Sequence, residues 1–225
     1  MAEQRSNIVG FIHVCMINDW KSIISEQINI MQESGLYDYM RVANVCCLGS
    51  EYDKEELEKL IEPFGKLRLA AYSPDLNAFE FFTLAFMKDV CNRSQGFYGF
   101  YIHTKGVSWP GHEGGKYWRD YMNHYILRKW MLDVRFLNIG YDLCGVKLIN
   151  KGWPLHYSGN FFWFNAEYVS RVIPVNMMNR KDRFNAEMWV CSGTPIAATL
   201  CQDFVDYDTK GIFNPNEKAV PNGLL

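Results

Sequence analysis

The sequence lacks most of the signatures by which a function is usually read. No long run of lysine and arginine occurs, and 23 basic against 25 acidic residues leave a formal net charge of -2. The electrostatic footprint of a duplex-binding protein is therefore missing, and nucleic acid is not an expected partner. No apolar stretch approaches the roughly 20 residues of a membrane-spanning helix. The opening MAEQRSN has none of the basic-then-apolar plan of a secretion signal. Cytoplasmic placement is expected, a peripheral contact with a membrane being compatible with it. None of the seven cysteines is spaced C-x-x-C, which argues against a zinc knuckle or a thioredoxin-like site. Buried free thiols in a reducing compartment account for them. Neither H-E-x-x-H nor a G-x-S-x-G elbow is present, and no G-x-G-x-x-G follows the first apolar segment. A zincin, a serine hydrolase of that elbow type and a dinucleotide enzyme gripping its cofactor in a glycine-rich turn are thereby set aside.

What remains is an ordinary globular composition, 48% hydrophobic over 225 residues, enough for one α/β domain with a full core. Apolar segments at residues 8–16, 41–48, 66–72 and 97–102 are short and β-branched or aromatic, as buried strands are. Between them lie segments with apolar residues at helical spacing: 20–34, entered at Asp19 and ended by Gly35; 53–62, stopped by Pro63; and 77–92. Regular strand–helix alternation predicts a Rossmann-like, mostly parallel sheet flanked by helices. Further on, a helix over 116–136, a strand over 143–150, a strand running into a helix over 155–169 and a last helical stretch over 183–190 are expected. One domain over 1–210 follows, with an arm or disordered tail at 211–225.

The chain is arranged around FYGFYIHTKG, residues 97–106. An aromatic strand runs without a linker into His103, Thr104 and Lys105. An imidazole, a hydroxyl and an ammonium are costly to place in a core, and in an open α/β sheet that carboxyl edge is where ligands sit. A fixed ammonium can neutralise a phosphate while the threonine donates a hydrogen bond. The same edge is expected to carry Cys15, Asn18, Asp19, Ser73 and Asp75, with Arg119 and Arg183 assisting the anion. Residues 107–115, VSWPGHEGG, form a candidate lid.

Glu187, between Ala186 and Met188 with Trp189 following, is the carboxylate expected to act as general base, its apolar neighbours leaving it partly desolvated. Glu80 is placed near the same mouth, where it can pair with Lys105. Ser158, Gly159 and Asn160 are candidates for a sugar-binding wall: small residues let a ligand approach the backbone, and an amide can bond hydroxyls.

Taken together, YIHTKG, WRDYM, HYSGNFFWFNAEYV and RFNAEMWV resemble segments of bacterial and large-virus glycosyltransferases of the GT-A type, over residues 8–189. The resemblance implies a single GT-A-like domain, a nucleotide-diphosphate sugar as donor bound over a nucleotide-binding half (1–106), and a hydroxyl glycan acceptor over an acceptor half (107–210), in surface-polysaccharide or glycoprotein-glycan synthesis. It places His156 and Trp163 with Ser158, Gly159 and Asn160 on the sugar and acceptor side. It also implies that Glu187 falls at the acidic catalytic position. In GT-A enzymes an Asp-x-Asp closes the central strand and holds manganese or magnesium on the diphosphate. Here His103-Thr104-Lys105 stand in that place. Either His103 joins other ligands around a divalent ion, or Lys105 supplies the charge instead. Two rival readings share the sheet: a nucleotide-sugar hydrolase, and a non-catalytic module that binds nucleotide or sugar.

Overall fold

The computed structural model describes residues 7–108 and 111–201. The expected tail at 211–225 lies outside the described residues, as do residues 109 and 110 within the candidate lid.

The first half alternates as its periodicity requires: β1 (Ile8–Cys15), α1 (Trp20–Glu33), α2 (Leu36–Tyr39), β2 (Met40–Leu48), α3 (Glu51–Ile61), β3 (Leu67–Ser73), α4 (Phe81–Arg93) and β4 (Tyr98–His103). β1 and β4 are buried along nearly all their length, the condition of parallel strands covered on both faces. Gly35 ends α1 at a φ of 76°, a backbone that favours glycine. Ser50 caps α3 by accepting from the Asp53 amide, which starts that helix earlier than its apolar pattern suggests. Asp19 precedes α1 but makes no side-chain cap bond.

The second half is more broken than expected. A single helix over 116–136 is instead α5 (Glu113–Asn123), a π-helical turn at His124–Arg128, and α6 (Trp130–Asn138). In that turn the Lys129 amide bonds the His124 carbonyl five residues back, so an extra residue rotates the two helices out of phase. The expected strand at 143–150 splits into β5 (Leu143–Gly145) and β6 (Leu148–Ile149) because Lys147 turns the chain at a φ of 50°. β7 (His156–Tyr157) pairs with β6. There follow β8 (Phe162–Asn165), α7 (Ala166–Val169), α8 (Asn185–Trp189) and β9 (Ala197–Thr199). β9 carries only three residues, too few to announce a strand.

Seven strands form one sheet in the order β3-β2-β1-β4-β8-β5-β9. β1 to β4 are mutually parallel, while β8 runs antiparallel to both β4 and β5. The architecture is thus mixed α/β with a mostly parallel central sheet. Alternation along β8 sends Phe162 and Phe164 to the core on one face and Trp163 to the core on the other. Trp163 is fully buried, 5.1 Å from the Phe100 ring centroid, and its indole N–H donates to the Ile126 carbonyl. It is a core residue, which corrects the sugar-wall expectation: strand parity points it away from the cavity.

None of the seven cysteines is in a disulfide. Burial pushes Cys46, Cys47, Cys91 and Cys191 up to about 12, so these are inert, protonated packing groups.

Candidate functional site

A cavity of about 570 Å³ opens where β1, β2 and β4 end. Two other hollows are of comparable size, one between α1 and α5 and one at the opposite edge of the sheet. Volume alone does not single out the first. Convergence of charged and polar groups at strand ends does.

The segment leaving β4 is pinned from three sides. The Thr104 amide donates to the His13 carbonyl (3.1 Å), and the Thr104 hydroxyl accepts from the Cys15 amide (3.1 Å). Gln27 on α1 donates to the His103 carbonyl (2.9 Å), and Arg119 on α5 donates to the Lys105 carbonyl (3.0 Å). Gly106 then turns at a φ of 85°. With its backbone so held, Lys105 projects its ammonium into the cavity, where Nζ lies 3.8 Å from Oε1 of Glu187. The two side chains are 23% and 16% exposed. Glu80, offered above as a partner for Lys105, is engaged elsewhere.

Glu187 is set by α8 and by the turn between β7 and β8. Its Oε2 accepts from the Gly159 amide (3.0 Å), while the Gly159 carbonyl accepts from Nε2 of His103 (3.0 Å). The two peptide groups that flank the Gly159 Cα are therefore held by a carboxylate on one side and an imidazole on the other. Because a carbonyl only accepts, the His103 proton sits on Nε2. Burial, then the Lys105 charge, pushes His103 down to about 3, so the ring is neutral at physiological pH. Glycine is required here. Its φ is 83°, and a Cβ would stand 2.6 Å from both the Trp118 indole nitrogen and the Met122 sulfur.

Glu80, just ahead of α4, also faces the cavity. Its Oε2 accepts from Asn160 Nδ2 (2.6 Å) and from the Tyr101 hydroxyl (2.9 Å), and its Oε1 stands 3.8 Å from His103 Nε2. The preceding residue, Phe79, has φ 48° and ψ -157°. Backbone of this kind in a non-glycine residue costs about 1–3 kcal/mol and persists only where surrounding contacts enforce it.

Of the residues singled out in the sequence, the structure brings Cys15, Glu80, His103, Thr104, Lys105, Ser158, Gly159, Arg183 and Glu187 to this cavity. The others lie elsewhere, each for a visible reason. Asn18 donates to the Val107 carbonyl (2.8 Å), tying the start of the lid segment to the end of β1. Asp19 is exposed. Ser73 accepts from the Asp75 amide, and Asp75 accepts from that of Asn77, so both shape the turn after β3. Arg119 is buried between the Lys105 carbonyl and Glu26; it positions the strand end and lies outside the lining. His156 donates through Nδ1 to the Pro154 carbonyl (2.7 Å) on the β6–β7 ribbon. Asn160, 1% exposed, holds Glu80 from behind.

Sequence reasoning missed His13 and the apolar wall of Leu48, Leu76, Phe79 and Phe184. His13 pairs in register with His103 across β1–β4, and its ring bonds Thr83 Oγ1 at 2.7 Å. A histidine inside an apolar strand was the available signal; the apolar wall carried none.

The residues do not fit the divalent ion implied by the resemblance. Nε2 of His103 is spent on a carbonyl, an ammonium stands beside it, and among the described residues no three His, Cys, Asp or Glu side chains converge as a metal-holding group. An Asp-x-Asp does occur in the chain, at Asp206 and Asp208. It follows β9 rather than the central strand and lies outside the described residues. Among the described residues, too, no helix is long and apolar enough to cross a membrane.

The model of a family described as "Domain of unknown function (DUF8361)" matches residues 14–188. No curated protein matches the sequence. Among solved structures, TarS 1-349 from S. aureus aligns with a TM-score of 0.52 at 9% identity, over 85% of this chain and 57% of that one. This chain therefore spans little more than half of that structure. The 4-diphosphocytidyl-2C-methyl-D-erythritol synthase from Anaerococcus prevotii DSM 20548 aligns at 0.49 and 8% identity, over 88% of this chain and 90% of that one. HddC from Yersinia pseudotuberculosis aligns at 0.48 and 11% identity, over 87% and 90%. At such identities the likeness is one of fold alone, a mixed α/β domain built on a mostly parallel central sheet flanked by helices.

Proposed function

The chain belongs to the family described as "Domain of unknown function (DUF8361)", and from that premise we propose that its cavity binds a nucleoside-diphosphate sugar and passes the sugar to a hydroxyl acceptor, in the building of a surface polysaccharide or a glycoprotein glycan. One observation carries the reading. A cation fixed at the end of the central strand and a carboxylate from the other half of the chain share one hollow, 3.8 Å apart. That is the pair a glycosyl transfer needs, an electrophilic clamp for the leaving diphosphate and a proton acceptor for the incoming alcohol.

In this reading the segment up to residue 106 carries the nucleotide and the segment from 107 to 210 carries the acceptor. Lys105 leaves Glu187 for the diphosphate when the donor enters, assisted by the Thr104 hydroxyl and bordered by Cys15. Leu48, Leu76 and Phe79 give the base an apolar face. Ser158 and the Gly159 backbone face the sugar and acceptor. Glu187, held by the Gly159 amide, takes the proton from the acceptor hydroxyl as its oxygen bonds the anomeric carbon. The bond from that carbon to the phosphate oxygen breaks, and its electron pair leaves with the diphosphate beside Lys105.

A panel of UDP- and GDP-hexoses, tested for thermal stabilisation and then for release of nucleoside diphosphate with and without alcohol acceptors, tests the reading. A ligand that favours the folded form raises the melting temperature by mass action. Stabilisation by at least one member, with release that requires an acceptor, is expected. Release without an acceptor would replace transfer by hydrolysis, and stabilisation by none would remove the donor from this cavity.

A further inference from the structure

Glu80 is the second carboxylate of the cavity, and its two oxygens are in different situations. Oε2 is saturated by two donors from the core, the Asn160 amide at 2.6 Å and the Tyr101 hydroxyl at 2.9 Å. These bonds fix the plane of the carboxylate. Among the described residues Oε1 has no hydrogen-bond partner: His103 Nε2 is 3.8 Å away and already gives its proton to the Gly159 carbonyl. An acceptor oxygen on the cavity wall is thus rigidly presented and unfilled. The backbone immediately before it is strained: Phe79 has a φ of 48° and a ψ of -157°, a conformation that persists only where surrounding contacts enforce it. Asn160, which holds Glu80, has a φ of 58°, a left-handed backbone that asparagine adopts readily.

We propose that Glu80 is a specificity-determining residue that accepts a hydrogen bond from a hydroxyl of the donor sugar, and that the cavity therefore selects neutral hexosyl donors over uronic-acid donors. The inference rests on the donor-binding reading above. A hydroxyl is the group that completes Oε1, since it donates and carries no charge. A sugar carboxylate would meet Glu80 and Glu187 in the same hollow, with like-charge repulsion and no proton to give. Recognition by a carboxylate is also sharp. A site built to bond a hydroxyl rejects an analogue that lacks it, because the buried polar group is left unpaired.

The experiment is titration calorimetry of wild type, Glu80→Gln and Glu80→Asp with UDP, GDP, UDP-glucose, UDP-galactose, GDP-mannose and UDP-glucuronate, with a melting curve for each protein. Glu80→Gln keeps an oxygen for Asn160 and Tyr101 and turns only the free acceptor into a donor; Glu80→Asp keeps the charge but withdraws it. Wild type is expected to bind at least one hexosyl nucleotide more tightly than UDP-glucuronate. Glu80→Gln is expected to lose about tenfold for that hexosyl nucleotide, with the affinity for bare UDP or GDP unchanged within about twofold. Should Glu80→Gln fail to fold, the same split in Glu80→Asp decides. Equal loss for sugar nucleotide and bare nucleotide, no loss for either, or preference for the glucuronate overturns the role of Glu80 while leaving the donor reading in place. Failure of wild type to bind any of the six overturns both.

Discussion

Lys105 and Glu187, separated by 82 positions in the chain, stand 3.8 Å apart across a single cavity. Neither reaches the other by local structure. Lys105 is delivered by the end of the almost wholly buried β4, and Glu187 by a five-residue helix whose placement depends on the turn at Gly159. The pair joins the two halves of the domain at the point where chemistry is proposed.

If Lys105 neutralises the diphosphate, Lys105→Ala weakens binding of UDP or GDP by about 1.5–3 kcal/mol, the range for hydrogen bonds to charged groups. That is roughly 10- to 150-fold in dissociation constant by titration calorimetry. Unchanged affinity would move the phosphates to another part of the cavity.

If Glu187 is the base, Glu187→Gln lowers turnover by about 10²–10⁴ and leaves donor affinity nearly as it was. The glutamine carbonyl can still accept from the Gly159 amide, so the turn keeps its anchor. Single-turnover kinetics at saturating donor measure this directly; full turnover in the variant would assign proton removal to another group.

Gly159→Ala combines positive φ and steric crowding at one position. Relative to wild type it is expected to lose about 2–4 kcal/mol in urea unfolding, from left-handed backbone strain and overpacking against Trp118 and Met122. Gly152 provides the control. Its φ is 77°, but a Cβ there meets nothing within 4 Å, so Gly152→Ala should cost only about 1 kcal/mol. Equal losses at both sites would mean that the tight packing at Gly159 contributes nothing.

Three imidazoles and one carboxyl make stability depend on pH with a definite sign. Burial pushes His103 down to about 3 and His13 and His124 down to about 4, against 6.5 for an ordinary histidine. Between those values the unfolded chain binds protons that the folded one refuses, so stability is full above about pH 6.5 and falls as pH drops toward 4. Asp133, fully buried and pushed well above the ordinary carboxyl value by desolvation, acts oppositely, since the unfolded chain releases its proton first as pH rises. Three protons less one leave a net slope on the order of 2 kcal/mol per pH unit near pH 5. Urea midpoints from pH 4.5 to 6.5 check it, and Asp133→Asn should steepen the slope. A flat profile would show that these histidines are not held neutral.

The sequence by itself determined the alternation of buried strands and amphipathic helices through β4, because periodicity and burial on both faces leave a local imprint in residue type. It also placed the cationic strand end at Lys105 and marked Glu187, since polar groups beside apolar runs are conspicuous without any fold. What it could not determine was which way a side chain faces once strands of unlike direction share a sheet. Alternation puts Trp163 on the face opposite Phe162 and Phe164, and only the register of β8 against β4 decides which of the two cores each face meets. Arg119 lies 14 positions beyond Lys105, yet only the packing of α5 against α1 turns it toward a backbone carbonyl and Glu26 instead of the cavity. Glu80, 107 positions before Glu187, joins the same hollow through Asn160 and Tyr101. Contacts of that separation are set by the closure of the whole sheet, and no local pattern in the chain encodes them.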